Sequence, residues 1–232
     1  MGKGEKLRRV LAVREYRRAL VRDGVPAALE HDRLVFPRTY ASVLDVGANR
    51  GQFALFALRR FPGAALWCFE PYPAAFQMLE RLVDGRARCV RCALAGASGA
   101  GELHVARADG ASSLLMPTAL QIGRSSEAVI AGHVEVEVRT LDEFAGEIAS
   151  PYLLKVDVRG YELEVLRGGR ALLASDGDLL IECSFRELYG GQPLAADVIA
   201  HLRPLGFQLR DIHSMSRGRD GEPLQADFFF SR

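Results

Sequence analysis

The sequence predicts an α/β fold with a mostly parallel sheet, and three observations point to it. Short apolar runs alternate with amphipathic segments along the 232 residues, which is the pattern of strands joined by crossover helices. The run at 43–46 ends in a glycine-bearing turn at 47–51, and a helical pattern begins directly afterwards. A second apolar run, at 65–69, is followed by Glu70. In nucleotide-binding βαβ units an acidic residue at the end of this second strand binds the ribose hydroxyls. Together they indicate a sheet that binds an adenosine-bearing cofactor.

The first half of the chain predicts strands and helices in alternation. Pro62-Gly63 stops the first helix, and Pro73 suits the first turn of the second helix. After the third strand, a glycine-rich turn leads into an antiparallel strand at 102–106, and residues 109–122 have the character of a loop or lid. The alternating elements are predicted at 42–46, 52–60, 65–69, 74–82 and 88–92.

The second half continues the alternation after one exposed strand. Residues 134–138 alternate Val with Glu and predict a half-exposed edge strand, and Thr140 is a suitable N-cap for a short helix that follows. The later strands are short apolar runs separated by helical patterns. The later elements are predicted at 152–156, 162–173, 179–182, 195–202, 207–212 and 227–230.

The glycine-bearing turn narrows the choice of cofactor. Its spacing is Gly47-x-x-x-Gly51 with Asn49 between, so it lacks the G-x-G-x-x-G of dinucleotide sites, and the chain has no P-loop motif. Asp45 would repel a phosphate but suits the ammonium of an amino acid. S-adenosylmethionine carries an ammonium, a sulfonium and a ribose, and no phosphate. The turn and Glu70 therefore predict a methyltransferase site for this cofactor; the alternative is an ordinary strand-to-helix turn.

A second chemical centre is predicted at the end of the strand at 152–156. Lys155 and Asp157 interrupt an apolar run and, with a period of two, share one face at the carboxyl end of the strand, where ligands bind in open α/β sheets. Glu182 ends the next strand, so the three side chains are expected to converge on one pocket. They are the candidate catalytic residues, and the alternative is a structural ion pair within the sheet.

Composition predicts one α/β domain, at 39–232, preceded by a basic helical arm at 1–38. The first part of the arm carries eight basic residues between Lys3 and Arg22 against two acids. Because the net charge is only +1, a helix that packs on the domain or on a partner subunit is favoured over a contact with nucleic acid, and a homodimer through the arm stays open. With no run of membrane-spanning length and no signal sequence, we expect a cytoplasmic protein without a membrane partner.

Cysteine and histidine patterns predict no metal site. Cys89-x-x-Cys92 has no partner pair, and residues three apart on a strand point to opposite faces, so these thiols are expected to be free and buried. No histidine has ligand spacing to another along the chain, and most are expected at the surface. His133 and His213 are reserve candidates for a catalytic base.

Seven motifs, read in chain order, carry a family resemblance. They are DVGANRGQF at 45–53, FEP at 69–71, SSLL at 112–115, RTLD at 139–142, LKVDVRGYE at 154–162, LRGG at 166–169 and QADFFF at 225–230. With these motifs, the chain from about residue 40 to residue 231 resembles the FkbM family of S-adenosylmethionine-dependent methyltransferases.

The resemblance implies a Rossmann-like class I methyltransferase fold, with a seven-stranded sheet, helices on both faces and an antiparallel last strand. It also implies O-methylation of hydroxyls on sugars or secondary metabolites, and it adds Pro71 and Leu94 to the cofactor-binding residues. Two departures stand out. Ala95-Gly96 replaces the usual Ser-Asp after the third strand, which leaves the adenine hydrogen bonds unassigned, and Arg159 stands where Gln or Glu is common.

Methyl transfer to a hydroxyl needs alignment and a deprotonated acceptor. Two routes are open: Asp157 as general base with Lys155 stabilising the alkoxide, or a Mg²⁺ held by Asp157 and Glu182, which the residues permit but do not require. The expected acceptor is a small molecule. The alternatives are an RNA-directed methyltransferase that uses the basic arm and a non-catalytic module that binds an adenosine ligand.

Overall fold

The computed structural model describes residues 3–232, apart from the side chains of Lys3, Lys6 and Asp109, so Met1 and Gly2 of the predicted arm lie outside the described residues. Within the described residues the strands are β1 (Ser42–Val46), β2 (Ala65–Phe69), β3 (Arg88–Val90), β4 (Ala93–Leu94), β5 (Gly99–Ala106), β6 (Ile130–Arg139), β7 (Tyr152–Val156), β8 (Gly177–Ser184), β9 (Gln208–Arg217) and β10 (Pro223–Ser231). The α-helices are α1 (Lys3–Ala12), α2 (Arg14–Asp23), α3 (Gln52–Arg60), α4 (Pro73–Val83), α5 (Ala119–Arg124), α6 (Glu162–Arg167), α7 (Arg170–Ala174) and α8 (Ala195–Leu202). Short 3-10 helices occur at Leu29–Arg33, Asp109–Ala111, Ser126–Ala128, Leu141–Glu147 and Arg203–Leu205.

The main sheet has seven strands in the order β3-β2-β1-β7-β8-β10-β9. β1 pairs in parallel with β2 and β7, and β7 pairs in parallel with β8. The last strand, β10, is antiparallel to both of its neighbours, β8 and β9. The predicted seven-stranded, mostly parallel sheet with an antiparallel last strand is confirmed. Because β1, β2, β7 and β8 run in the same direction, their carboxyl ends meet at one edge of the sheet.

Helices cover both faces of this sheet, as predicted. All residues of β1 and β7 are buried, which matches their nearly continuous apolar sequence. Successive side chains of β1 point to opposite faces. Val43 belongs to a buried cluster with Phe56 of α3, and Leu44 belongs to a second cluster with Leu166 of α6. Two apolar cores therefore hold the sheet between its helices.

The predicted strand at 88–92 is wrong at its carboxyl end. It stops at Val90, and residues 93–94 leave the main sheet to form β4, which pairs in parallel with β6. β4, β6 and β5 form a second sheet of three strands, in which β5 and β6 are antiparallel. β5 and β6 are both longer than predicted because each extends along the other in this pairing.

The predicted single helix at 162–173 is also wrong, since it consists of α6 and α7 with Gly168 and Gly169 between them. A Cβ on Gly168 would lie 2.0 Å from the carbonyl oxygen of Ala95. The backbone therefore approaches the loop after β4 at a distance that only glycine permits. The break in the helix occurs at this close contact.

The basic arm packs on its own chain. Val10, Tyr16 and Ala19 of α1 and α2 form a buried cluster with Leu55 of α3 and Leu82 of α4. The apolar side of the arm is therefore covered by the domain, while the division at residue 38 stays a prediction. No helix within residues 3–232 is long and apolar enough to cross a membrane.

Candidate active site

A cleft of about 250 Å³ opens where the carboxyl ends of β1, β2 and β7 meet. Parallel α/β sheets bind their ligands at this edge. Segment 110–114, which follows β5, lies over one side of the cleft. Residues on its walls include Ala28, Glu30, His31, Gly47, Ala48, Asn49, Phe69, Glu70, Pro71, Ala93, Leu94, Ser113, Lys155, Asp157, Arg159 and Tyr161.

Gly47 lets the turn after β1 approach the end of β7. Its φ is +76°, and a Cβ on it would lie 2.0 Å from the carbonyl oxygen of Asp157. Asn49 has a φ of +48°, a left-handed conformation that Asn tolerates better than most residues. The turn is thus shaped by two residues of the predicted motif, and both of them line the cleft.

Glu70 is held in the cleft by the backbone on either side of it. The amide of Asn49 donates to Glu70 Oε2 and the amide of Tyr72 donates to Glu70 Oε1, each at 2.8 Å. Burial raises the pKa of Glu70 to about 7, although these two amides oppose the shift. Each carboxylate oxygen has two lone pairs, so both oxygens keep acceptor capacity for a ligand's hydroxyls.

Asp45 lies under the turn, completely buried at the end of β1. Lys155 Nζ donates to Asp45 Oδ1 at 2.9 Å and to the carbonyl oxygen of Gly47 at 3.3 Å. Asp45 Oδ2 has no hydrogen-bond partner among the described residues. Burial lowers the pKa of Lys155, but the Asp45 and Asp157 carboxylates outweigh it and the net shift is upward, so Lys155 keeps its charge.

Arg159 connects the two remaining candidate catalytic residues. Its Nη1 donates to Glu182 Oε2 at 2.8 Å, and its Nε lies 3.5 Å from Asp157 Oδ1. Its Nε also donates at 2.7 Å to the carbonyl oxygen of Gly110, in the segment that covers the cleft. Lys155 Nζ lies 3.9 Å from Asp157 Oδ2, which places the three predicted side chains and Arg159 in one row where basic side chains alternate with carboxyl groups.

The two carboxyl groups of this row differ in acidity. Burial raises the pKa of Glu182 to about 8; Arg159 opposes the shift and Asp157 adds to it. Burial acts in the same upward direction on Asp157, but the Arg159 and Lys155 charges lower its pKa. Asp157 is therefore the ionised member at neutral pH, and Glu182 is protonated.

A second cavity of about 190 Å³, called the side cavity here, adjoins the cleft. Lys155, Asp157 and Arg159 line both, whereas Glu182 lines only the side cavity. Lys155, Asp157 and Glu182, which we expected in one pocket, are thus shared between the cleft and the adjoining side cavity. The other polar residues on the wall of the side cavity are Glu30, His31, Ser214 and Asp227.

Sequence reasoning missed three residues of this region. His31 comes from the 3-10 helix Leu29–Arg33 of the arm, and its Nδ1 lies 3.8 Å from Asp227 Oδ2. Ser113 is buried and its hydroxyl donates to the carbonyl oxygen of Arg159 at 2.7 Å. Ser113 and Asp227 lie in the SSLL and QADFFF motifs of the family resemblance, and Asp227 is also the one charge beside the apolar run of β10. His31 carried no signal, because a segment without regular periodicity predicts no direction for its side chains.

The reserve histidines lie away from the cleft. His213 is on β9, where its Nε2 is 2.8 Å from Asp211 Oδ2. His133 is on β6, and its Nδ1 lies 2.9 Å from His104 Nδ1 on β5. The spacing of the histidines along the chain did not predict this contact, because the antiparallel register of β5 and β6 joins residues that are far apart in sequence.

The fold resembles that of a solved structure that contains S-adenosyl-L-methionine. Over 87% of this chain and 72% of the other, it matches fibrillarin from Aeropyrum pernix, whose structure contains bound S-adenosyl-L-methionine, with a TM-score of 0.50 and 14% identity. At this identity the likeness concerns the fold alone. The fold, with its cleft at the carboxyl edge of the sheet, is that of the Rossmann-like S-adenosylmethionine-dependent methyltransferases, as predicted.

Sequence similarity defines the family. Residues 45–209 match the Methyltransferase FkbM domain, and the chain belongs to this family of S-adenosylmethionine-dependent methyltransferases. It is 32% identical to the 2-O-methyltransferase NoeI of Sinorhizobium fredii over 194 residues, which cover 78% of this chain and 77% of that protein. It is 28% identical to the hexuronic acid methyltransferase AglP of Haloferax volcanii over 143 residues, 60% of this chain and 54% of that protein. The chain thus spans about half of the second relative. The predicted family and enzyme class are confirmed.

Proposed function

We propose that this enzyme transfers the methyl group of S-adenosylmethionine to a hydroxyl of a sugar or of a glycosylated or secondary metabolite, in the cytoplasm. The observation that carries the proposal is the row of Lys155, Asp157, Arg159 and Glu182 where the cleft meets the side cavity. A side cavity lined by carboxylates, a guanidinium and a hydroxyl suits an acceptor with several hydroxyl groups. The names of two relatives, a 2-O-methyltransferase and a hexuronic acid methyltransferase, support the same chemistry.

The residues of the cleft suit the cofactor. Glu70 has free acceptor capacity for the ribose hydroxyls. Asp45, completely buried behind the cleft wall, would orient the methionine end of the cofactor through the turn after β1. Pro71 and Leu94 provide apolar wall for the adenine, and Gly47 keeps the turn free of a side chain. Bound S-adenosylmethionine supplies an electrophilic methyl group on its sulfonium.

The acceptor hydroxyl must lose its proton as the methyl group arrives. We assign Asp157 as the base, because it lines both spaces and is ionised at neutral pH. Lys155 remains charged and stabilises the developing alkoxide. Arg159 already lies between the two carboxyl groups, 3.5 Å from Asp157 and 2.8 Å from Glu182, so the proposal needs no Mg²⁺ between them. The predicted Mg²⁺ route is retained as an outcome of the test.

The test measures transfer of labelled methyl from S-adenosylmethionine to a panel of simple glycosides, hexuronic acid glycosides, a polyketide extract and RNA, with and without EDTA. The expected result is label on a carbohydrate or metabolite hydroxyl that persists in EDTA. Asp157→Asn should abolish transfer while S-adenosylhomocysteine still binds. The matched control is Asp84→Asn, since Asp84 is exposed at the end of α4 with a φ of +51° that Asn also adopts.

Each of the other outcomes contradicts one part of the proposal. Label found only on RNA would move the acceptor to nucleic acid, and cofactor binding without transfer to any acceptor would support a binding module. Complete loss of transfer in EDTA, restored by Mg²⁺, would support the metal route. A wild-type rate in Asp157→Asn would remove Asp157 from the mechanism.

The RNA alternative is best tested by charge reversal rather than by deletion of the arm. Deleting residues 1–38 would also remove His31 from the wall of the cleft. Arg8→Glu with Arg18→Glu changes two exposed charges of α1 and α2 and leaves their buried side intact. A small-molecule enzyme should keep its rate. The homodimer stays a prediction, and its contacts would come from the exposed side of the arm, where Leu7, Leu11 and Val21 lie.

A further inference from the structure

Two histidines and a glutamate converge on the outer face of the second sheet. Glu102 and His104 lie two residues apart on β5, and His133 is the register partner of His104 on β6. His104 Nδ1 and His133 Nδ1 are 2.9 Å apart. Glu102 Oε1 lies 3.7 Å from the first of these atoms and 3.5 Å from the second. The neighbouring residues Leu103 and Val134 belong to the apolar cluster on the opposite face, which fixes the direction of the three polar side chains.

The geometry of the three atoms points to a shared ligand. A carboxylate oxygen at 3.5 and 3.7 Å is too far from either ring nitrogen for a hydrogen bond. Ligands bound tetrahedrally to one zinc ion at about 2.0–2.1 Å are separated by roughly 3.3–3.4 Å. Here the two ring nitrogens are closer together than that, at 2.9 Å, and the carboxylate oxygen is farther from each of them, at 3.5 and 3.7 Å. A triangle with these sides has a centre about 2.0 Å from each corner, which is a metal–ligand distance.

We propose that Glu102, His104 and His133 bind a zinc-like divalent transition metal. Two imidazole nitrogens and one carboxylate oxygen are the donors that Zn²⁺ and its neighbours prefer over Mg²⁺ or Ca²⁺. Three protein ligands leave a coordination position for water, because the side chain of His133 is half exposed and that of Glu102 more so. The site is separate from the cleft and is not part of the proposed methyl transfer.

Metal binding here would join β5 to β6 through side chains as well as through their backbone pairing. The backbone of His104 exchanges hydrogen bonds with Ser113 at 2.8 and 3.2 Å. Ser113 in turn donates to the carbonyl oxygen of Arg159 beside the cleft. We therefore expect the ion to stabilise the β5–β6 hairpin and, through the backbone pairing of His104 with Ser113, the segment at 110–114 that lies over the cleft.

The test uses the full-length, tag-free protein, dialysed against chelator and titrated with Zn²⁺ in a calorimeter. We expect one Zn²⁺ per chain, a tetrahedral cobalt absorption spectrum with Co²⁺, and a rise in Tm on metal addition. His104→Gln and His133→Gln should each weaken Zn²⁺ binding by more than about 100-fold, since loss of a second-shell contact alone costs 10–100-fold. Glu102→Gln should weaken it less, because an amide oxygen can still coordinate.

His201→Gln, on α8 away from the cluster, is the control variant and should bind Zn²⁺ as the wild type does. Circular dichroism shows whether each variant is folded. The proposal is overturned if folded wild-type protein binds no Zn²⁺, or if His133→Gln binds it as tightly as the wild type. Neither result bears on the acceptor or on Asp157, because calorimetry with Zn²⁺ alone requires neither methyl donor nor acceptor.

Discussion

Lys155 Nζ donates a 2.9 Å hydrogen bond to Asp45 Oδ1 across the register pair that joins β7 to β1. Both residues occur at the carboxyl ends of otherwise apolar strands, and both are buried. The ion pair therefore links the turn that follows β1 to the strand that carries Asp157. Lys155 Nζ also lies 3.9 Å from Asp157 Oδ2, so this one ammonium group interacts with both carboxylates.

Lys155→Met should destabilise the protein because it leaves the Asp45 carboxylate buried without a counter-charge. Breaking one side of a buried pair costs about 3–5 kcal/mol, and we expect a loss in this range in urea unfolding at pH 7. The double variant Asp45→Asn with Lys155→Met should recover part of the loss, because it no longer contains an unpaired buried charge. A double variant less stable than Lys155→Met would contradict this account.

Glu70→Gln should weaken cofactor binding. The carboxylate accepts two backbone hydrogen bonds, and the amide group of Gln would turn a donor towards one of those N–H groups. Hydrogen bonds to a charged group contribute about 1.5–3 kcal/mol, which corresponds to a roughly 10- to 150-fold higher Kd for S-adenosylhomocysteine. Calorimetry measures it, with Glu80→Gln on the exposed side of α4 as the control. An unchanged Kd for Glu70→Gln would remove Glu70 from the cofactor site.

The rate of methyl transfer should rise as the pH increases through about 8. Below this pH Glu182 is neutral. Above it Glu182 is ionised, and its negative charge near Asp157 makes Asp157 a stronger base. Glu182→Gln is neutral and cannot ionise, so its kcat should not rise in this range. A rise of the same size in Glu182→Gln would contradict the assignment; exposed Glu222→Gln is the control.

Stability should fall as the pH rises from about 5 to 8. The folded-state pKa of Glu182 is about 8, whereas a Glu in an unfolded chain titrates near 4.3. The folded state thus holds a proton that the unfolded state has lost, and the free energy of unfolding decreases with pH across this window. Glu70 and Glu162, each with a pKa of about 7, act in the same direction. Urea unfolding at several pH values measures the slope, which Glu182→Gln should reduce.

The sequence predicted best what depends on neighbours in the chain. β1, α3 and β2 have the predicted bounds because their apolar runs and the Pro62-Gly63 stop are local features. The period of two also placed Lys155 and Asp157 on one side of β7. The partner of Lys155 was not predictable, because Asp45 reaches it through the register of β1 and β7, which no local pattern specifies.

Long-range pairing explains the rest of what sequence reasoning missed. β4 has only two residues, and its departure from the main sheet depends on pairing with β6, about 45 residues later. The antiparallel register of β5 and β6 likewise places His104 next to His133. His31 reaches the cleft because the arm folds back over α3, where the His31 ring lies 5.2 Å from that of Phe53. Each of these contacts is decided by tertiary packing.

Gly47→Ala should disable the cofactor site, because its Cβ would lie 2.0 Å from the carbonyl oxygen of Asp157 and its φ is +76°. The backbone must move away from β7, and the strain alone costs about 1–3 kcal/mol. We expect lower stability in urea and no measurable binding of S-adenosylhomocysteine. Gly63→Ala is the control, since a Cβ there has no heavy atom within 4 Å. Wild-type binding in Gly47→Ala would show that the turn does not need its close approach to Asp157, and the cofactor would then have to be placed elsewhere along the cleft.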